Sequence, residues 1–232
     1  MLAMQLPAYR DDGLDIQLPA YRDDGLAIQI PAHRVVSLAI QLSILRGIDM
    51  KHIGTKRYET ERLILRQFTE DDAESVFNNW ASDDEVTKYL TWPSHSSAEV
   101  SRTFVNYCIS QYEEPSCYKW GIELKSTHEL IGNISVVSHI DELECLELGW
   151  VIGKKYWGNG YMPEAAAKIL EVLFDEVGAN CVYAGHDINN PKSGRVMQKI
   201  GMKYEGVLRQ FGKNNQGIID CARYSMIKAE RV

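Results

Sequence analysis

No apolar run in this chain approaches the roughly 20 residues that a membrane-spanning helix needs, and the N-terminus carries charges where a secretory signal has its apolar stretch. The expected setting is cytoplasmic, with no membrane partner. No CxxC spacing occurs. The five cysteines, Cys108, Cys117, Cys145, Cys181 and Cys221, are odd in number and scattered, with no matched histidine pair. Neither a disulfide framework nor a zinc site is therefore expected, and no metal; free cysteines in strands and helices behave as small buried hydrophobes. Basic residues are in deficit, 25 Lys and Arg against 32 Asp and Glu, for a formal charge of −7. Proteins that grip a phosphate backbone need a basic surface, so nucleic acid is not an expected partner. There is also no Gly-Lys-Ser/Thr P-loop, no GxGxxG with an acidic residue beyond it, and no GxSxG elbow.

What is present begins with a repeat. Residues 5–16 (QLPAYRDDGLDI), 17–28 (QLPAYRDDGLAI) and 29–40 (QIPAHRVVSLAI) follow one another directly. Each copy carries Pro at its third position, and the first two carry Gly at the ninth, so a continuous helix is interrupted once per copy. Asp-Asp and Pro recur where a packing face would need apolar residues. Each difference between copies is reachable by one base change, as expected after recent duplication of a short DNA segment. Residues 1–49 are thus expected to be a dispensable, disordered extension, and Met50 to lie close to the start of a catalytic domain running over 50–232.

From Met50 onward the pattern is that of a packed domain. Leu63 and Leu65 alternate with Ile64 and Arg66 in a strand over 60–68. Thr69 and Asp72 open a helix carrying Ala73, Val76, Phe77 and Trp80 at helical spacing. Ser96 or Ser97 caps a second helix through Phe104, Tyr107, Cys108 and Tyr112, ended before Pro115. Three strands follow at 118–125, 130–140 and 145–152, separated by polar turns, as in an antiparallel meander. Then comes Lys155-Tyr156-Trp157-Gly158-Asn159-Gly160-Tyr161-Met162-Pro163, leading into a helix with Ala166, Ile169, Leu170, Leu173, Phe174 and Val177 on one stripe. Strand, glycine loop and helix N-terminus in succession make an anion site, because free backbone N–H groups and the helix dipole converge there. Taken alone, the loop leaves a pyrophosphate site and a ligand-free turn equally open.

The loop's Lys-x-x-Gly-x-Gly resembles the Arg/Gln-x-x-Gly-x-Gly/Ala acetyl-CoA loop of the GNAT superfamily, with Lys155 replacing one cationic donor by another. Thr60-Glu61-Arg62-Leu63-Ile64-Leu65-Arg66 resembles the opening strand of RimJ/RimL-type protein N-acetyltransferases. Glu147-Leu148-Gly149-Trp150 resembles the strand before the loop. Asn190-Pro191-Lys192-Ser193 with Lys199-Ile200-Gly201-Met202 is similar to the family's Asn-x-x-Ser helix and Lys-x-Gly-Phe ending, and 220–226 to its closing strand. The likeness spans residues 55–228. It implies an α+β GNAT fold: a twisted, mixed, mostly antiparallel sheet of about seven strands flanked by about four helices. The sheet would splay between its fourth and fifth strands, 145–152 and 181–186.

It also implies ligands and roles. Acetyl-CoA is the cosubstrate and an amine the acceptor, foremost a protein N-terminal α-amine, with small-molecule acetylation or a CoA-binding sensor as alternatives. Trp150, Val151 and Ile152 would bind pantetheine, Lys155 and Trp157, Gly158, Asn159, Gly160 and Tyr161 the pyrophosphate, and Asn190 the pantetheine amides. Asn190 also suits an N-cap before Pro191. Acetyl transfer from a thioester needs a neutral amine, a polarised carbonyl and a proton for the departing thiolate, but no covalent enzyme intermediate. Glu147 is the expected base, with Glu144 in reserve. Many relatives place a tyrosine acid seven residues after the helix-opening Asn; here that position is Met197, so Ser193 is expected to donate to the sulfur, with Tyr224 as a further candidate. Trp80, Tyr89, Trp92, Tyr224 and the loop 211–217 are the expected acceptor side. Monomer and homodimer both remain open.

Overall fold

A computed structural model describes residues 50–231. The repeats and the extension assigned to 1–49 lie outside the described residues. Strands β1 (Tyr58–Glu59), β2 (Leu63–Arg66), β3 (Lys119–Leu124), β4 (Leu130–Ile140), β5 (Cys145–Ile152), β6 (Cys181–Asp187), β7 (Lys203–Asn214) and β8 (Gly217–Ile227) form one sheet in the order β1-β2-β3-β4-β5-β6-β8-β7. Neighbours are antiparallel throughout except β5 and β6, which are parallel. Five α-helices accompany it among the described residues: α1 (Ala73–Val76), α2 (Asp84–Thr87), α3 (Ala98–Ser110), α4 (Tyr161–Asp175) and α5 (Pro191–Lys199). The eighth strand is the two-residue β1, and the fifth helix is the one-turn α2.

Two cores sandwich the sheet. On one face α4 buries Ala165, Ala166, Ile169, Leu170, Leu173 and Phe174 against Leu63, Leu65, Ile134, Leu146, Leu148 and Val182. Each large apolar side chain so buried contributes about 1.5–3 kcal/mol. On the other face Ala73, Val76, Trp80, Val105 and Cys108 pack with Phe68, Leu130 and Val151. β2 is therefore covered on both sides, and Ile64 is buried as well. The half-buried strand expected from the alternation is corrected by this second layer. Arg66 tolerates the covered face because Asp72 takes it bidentately at 2.7 and 2.9 Å and Glu123 at 2.5 Å.

The helix expected after Thr69 is present but irregular: a 3-10 turn (Glu70–Asp72), α1, and a π turn (Phe77–Ala81) follow one another. Asp72 accepts the Thr69 N–H at 2.7 Å, closing the start as the sequence indicated. The wide turn carries Asn79 to the sheet, where its amide donates to the Leu130 carbonyl at 2.7 Å.

Candidate active site

β5 and β6 pair only from Cys145 with Cys181 to Leu148 with Ala184. Beyond that point Gly149–Ile152 keep only their β4 partners and Gly185–Asp187 only their β8 partners, so the strands diverge into a V. A bulge at Val137 of β4, where Val136 pairs with Leu148 and Ser138 with Glu147, lies beside the point of divergence. Bulges bend a strand and strengthen its twist. Val137 leans so closely over Gly149 that a Cβ there would sit 2.8 Å from Val137 Cγ1. Glycine at 149 is what lets the bulge and the split coexist.

The V opens into a cleft of 820 Å³. Its walls include Trp150, Val151, Ile152, Trp157, Gly158, Gly160, Tyr161, Asn190, Ser193 and Tyr89, residues that the sequence reading distributed over four separate segments. Strand edges without a neighbour carry polar backbone groups that need a partner, which an extended, amide-bearing ligand supplies.

The glycine loop is held in shape from outside. Gly158 and Gly160 have φ of 83° and 80°, the left-handed region that costs an L-residue about 1–2 kcal/mol. Gly160 is the N-cap position of α4. Arg62 donates from Nη1 to the Asn159 carbonyl at 3.0 Å, from its backbone N and Nε to Glu164 at 2.9 and 2.6 Å, and lies 4.6 Å over the Tyr161 ring. Thr60 Oγ1 adds a 2.5 Å bond to the same carboxylate. Burial opposes ionisation of Glu164, yet these donors outweigh it and hold the carboxyl below its ordinary range. The Thr-Glu-Arg opening, read from sequence as strand, is thus a latch on the glycine loop, and the strand starts only at Leu63.

Lys155 differs from its expected place. Its ammonium is 3.3 Å from Glu129 and its side chain is mostly exposed, outside the cleft wall. Cations reach the cleft from α5 instead: Lys192, Arg195 and Lys199 line it, with Lys192 Nζ 3.7 Å over the Trp157 ring. Asn159 contributes its carbonyl to the Arg62 latch and is likewise outside the wall.

At α5 the side chain of Asn190 makes no cap bond although it occupies the N-cap position. The Asn190 carbonyl accepts the Ser193 N–H at 3.2 Å, and the turn before the helix is held by Asp187, whose carbonyl accepts the Asn190 N–H at 2.7 Å and whose Oδ1 accepts the backbone and side-chain N–H groups of Asn189 at 2.9 Å. Asp187 is buried, and Asn214 donates to its other oxygen at 2.8 Å. Sequence reasoning missed this anchor; the run His186-Asp187-Ile188-Asn189-Asn190, dense in Asx turn formers, was the available signal. The Asn190 amide lines the cleft without a partner among the described residues. Ser193 is half-buried on the same wall, and its hydroxyl also has no protein partner there.

On the opposite face of β5 the Glu147 carboxylate is ion-paired with Arg223 of β8, both about one-fifth exposed. Arg223 lies 5.6 Å from the rings of Tyr183 and Phe211. Glu144, the reserve base, sits at φ 51° on the turn into β5, its carbonyl accepting the Asn180 and Cys181 N–H groups at the closed end of the V. Trp80, expected to face a substrate, is 1% exposed in the second core. Trp92 packs against that core, with its carbonyl held by Asn215. Tyr224 is buried on the α4 face beside His186 and Tyr204, apart from the cleft wall. Aromatics on an apolar stripe have gone to packing; of the four acceptor-side residues only Tyr89 reaches the cleft. Asn215 binds the carbonyls of Thr87 and Trp92 at 2.9 Å and donates its N–H to Leu90 O at 2.8 Å, fastening the β7–β8 turn to that wall.

No thiol is set up as a nucleophile among those with a resolved shift. Desolvation pushes Cys108 up to about 11 and is the main cause raising Cys181 to about 12; burial also raises Cys117 and Cys221.

The profile of the acetyltransferase (GNAT) domain family matches residues 62–203. The uncharacterized N-acetyltransferase YoaA of Bacillus subtilis (strain 168) is 35% identical over 170 residues, 73% of this chain and 96% of that protein. Among solved structures, the ribosomal-protein-S5-alanine acetyltransferase from Vibrio fischeri superposes with a TM-score of 0.66 at 18% identity, over 75% of this chain and 98% of that one. The Microcin C7 self immunity acetyltransferase MccE, solved in complex with acetyl-CoA and AMP, gives a TM-score of 0.66 at 18% identity, over 72% and 93%.

Proposed function

Since the chain belongs to the GNAT acetyltransferase family, we propose that it transfers the acetyl group of acetyl-CoA to the N-terminal α-amine of a polypeptide, by direct attack in a ternary complex. The observation that carries the donor side is the V itself. Its strand edges, the left-handed glycine loop and the three cations of α5 suit pantetheine, pyrophosphate and phosphate in turn. MccE, with the same fold, was solved with acetyl-CoA.

Glu147, directly or through water, takes one proton from the acceptor ammonium; the neutral amine then attacks the thioester carbonyl, the C–S bond breaks, and the second N–H proton passes to the departing thiolate. One Glu147 oxygen is taken by Arg223, which leaves the other for the amine or a water. Asn190 holds the donor amides, and Ser193 donates a hydrogen bond to the departing thiolate. Met197 cannot, being a buried thioether at the position of the usual tyrosine.

The polypeptide acceptor is supported by the open surface around Glu147. Val137 and Phe211, 60% and 64% exposed, flank the Glu147–Arg223 pair, an apolar rim that suits the side chains following an N-terminal amine. The Vibrio fischeri neighbour is named as an enzyme acting on a ribosomal protein. A cytoplasmic setting belongs to the same reading, with scattered thiols kept reduced; no helix among the described residues is long and apolar enough to cross a membrane. A thiol-release assay with acetyl-CoA should show turnover on peptides beginning Ala, Ser or Met. Turnover confined to a panel of small amines would overturn the polypeptide assignment.

Ser193→Ala should lower turnover about 10-fold or more, the worth of a hydrogen bond to a charged group, with acetyl-CoA binding largely kept. Because Ser193 makes no cap bond here, the melting temperature should stay where it is. A lowered melting temperature with normal turnover would assign Ser193 to the helix start and leave the thiolate to solvent.

A further inference from the structure

Three side chains far apart in sequence meet at the closed end of the V, away from the cleft. His52 comes from the segment that opens the domain. His139 lies at the end of β4, and Asp141 in the 3-10 turn (Asp141–Leu143) between β4 and β5. The Oδ1 atom of Asp141 is 2.7 Å from His139 Nδ1 and 3.3 Å from His52 Nε2, and the two imidazole rings are 5.0 Å apart. One donor atom from each residue lies within 4.8 Å of the others.

We propose that His52, His139 and Asp141 bind one divalent late first-row transition-metal ion of the zinc type, which clips the start of the domain to the β4–β5 turn. Zn–N and Zn–O bonds of about 2.0–2.2 Å imply a tetrahedral edge of about 3.3 Å, the separation already present between His52 and Asp141. The His139–Asp141 pair has to open by only about 0.6 Å to reach that edge. Two imidazoles and one carboxylate suit zinc and its neighbours; calcium and magnesium ask for more oxygen donors than this cluster has. Water completes the fourth position.

The surroundings orient the first ligand. His52 Nδ1 is 3.2 Å from the hydroxyl of Tyr118, which also accepts the Ile53 N–H at 3.0 Å. With Nδ1–H donating to that hydroxyl, the lone pair of Nε2 points at Asp141, the tautomer a ligand needs. Tyr118 is itself buried and stacked on Trp120 at 5.9 Å, so the orienting group is rigid. No sequence spacing announces such a site, because one ligand is nearly ninety residues from the other two. The clip joins chain segments that the sheet itself does not pair, so it acts on stability and leaves the acetyl-transfer cleft untouched.

The test is zinc titration of the full chain after metal stripping. One equivalent should bind and, at about 100 times Kd, raise the melting temperature by roughly 5–10 °C. His139→Ala and Asp141→Asn, whose side chains are 37% and 45% exposed, should fold normally and weaken binding by about 100-fold or more. Cobalt in place of zinc should give a d–d spectrum of nitrogen and oxygen ligation. Absence of saturable one-to-one binding, unchanged affinity in both variants, or a thiolate-to-cobalt charge-transfer band would each overturn the proposal. Loss of acetyl transfer on metal stripping would overturn the purely structural role.

Discussion

Replacing Glu147 by Gln is expected to lower kcat by about 100-fold at neutral pH while leaving the KM for acetyl-CoA nearly unchanged. In the proposed mechanism the carboxylate serves the acceptor, so removing its charge abolishes proton uptake from the acceptor ammonium without touching the donor side. The variant should recover as pH rises through about 7.7–8.0, where an α-amine loses its proton unaided. The same substitution weakens the pair with Arg223, and a half-buried group left unpaired costs about 1–3 kcal/mol. Arg223→Gln separates the two effects, because it breaks the pair and keeps the carboxylate. Its kcat should fall far less than that of Glu147→Gln. Equal losses in both variants, with equal losses of melting temperature, would make the pair structural and place the base elsewhere.

Gly160→Trp should abolish the stabilisation that acetyl-CoA confers. In the parent chain, acetyl-CoA at about 100 times its Kd adds about 2.7 kcal/mol, or roughly 5–10 °C in melting temperature for a domain of this size. At φ 80° a side chain is strained by about 1–2 kcal/mol. Its Cβ would already lie 3.5 Å from Arg62 Nη2, the guanidinium that holds the loop. An indole there blocks close backbone approach by a pyrophosphate and disturbs the latch together. Gly160→Ala carries the strain without the bulk and should melt lower yet keep much of the ligand-induced rise. A full rise in the Trp variant would remove this loop as the phosphate site.

Much of the fold was legible because its signals are local. β4 and β5 have the bounds read from sequence, 130–140 and 145–152, since polar turns bracket each alternating run. The α4 stripe was equally plain, as was the glycine loop before it. α2 was missed because Asp84-Glu85-Val86-Thr87 is too short to show a period; its start is made by Asp83, which accepts the Glu85 N–H at 2.8 Å. The strand expected from Thr60 began three residues late because Thr60 and Arg62 turn their hydrogen bonds toward Glu164, about one hundred residues on.

The candidate site divides along the same line. Sequence alone determined the order of strand, glycine loop and helix, the positive-φ positions, the Asn-x-x-Ser helix start and the absence of a tyrosine at 197, because these depend on neighbours within a few residues. Only the tertiary structure decided that Lys155 turns to Glu129 while Lys192, Arg195 and Lys199 face the cleft. It alone decided that Trp80 is core and that the Asn190 side chain makes no cap bond. The pairing of Glu147 with Arg223, 76 residues away, belongs with these. Each depends on which residues strand register and packing bring face to face, and that follows from burying both faces of an eight-stranded sheet at once, a condition no local window of sequence contains.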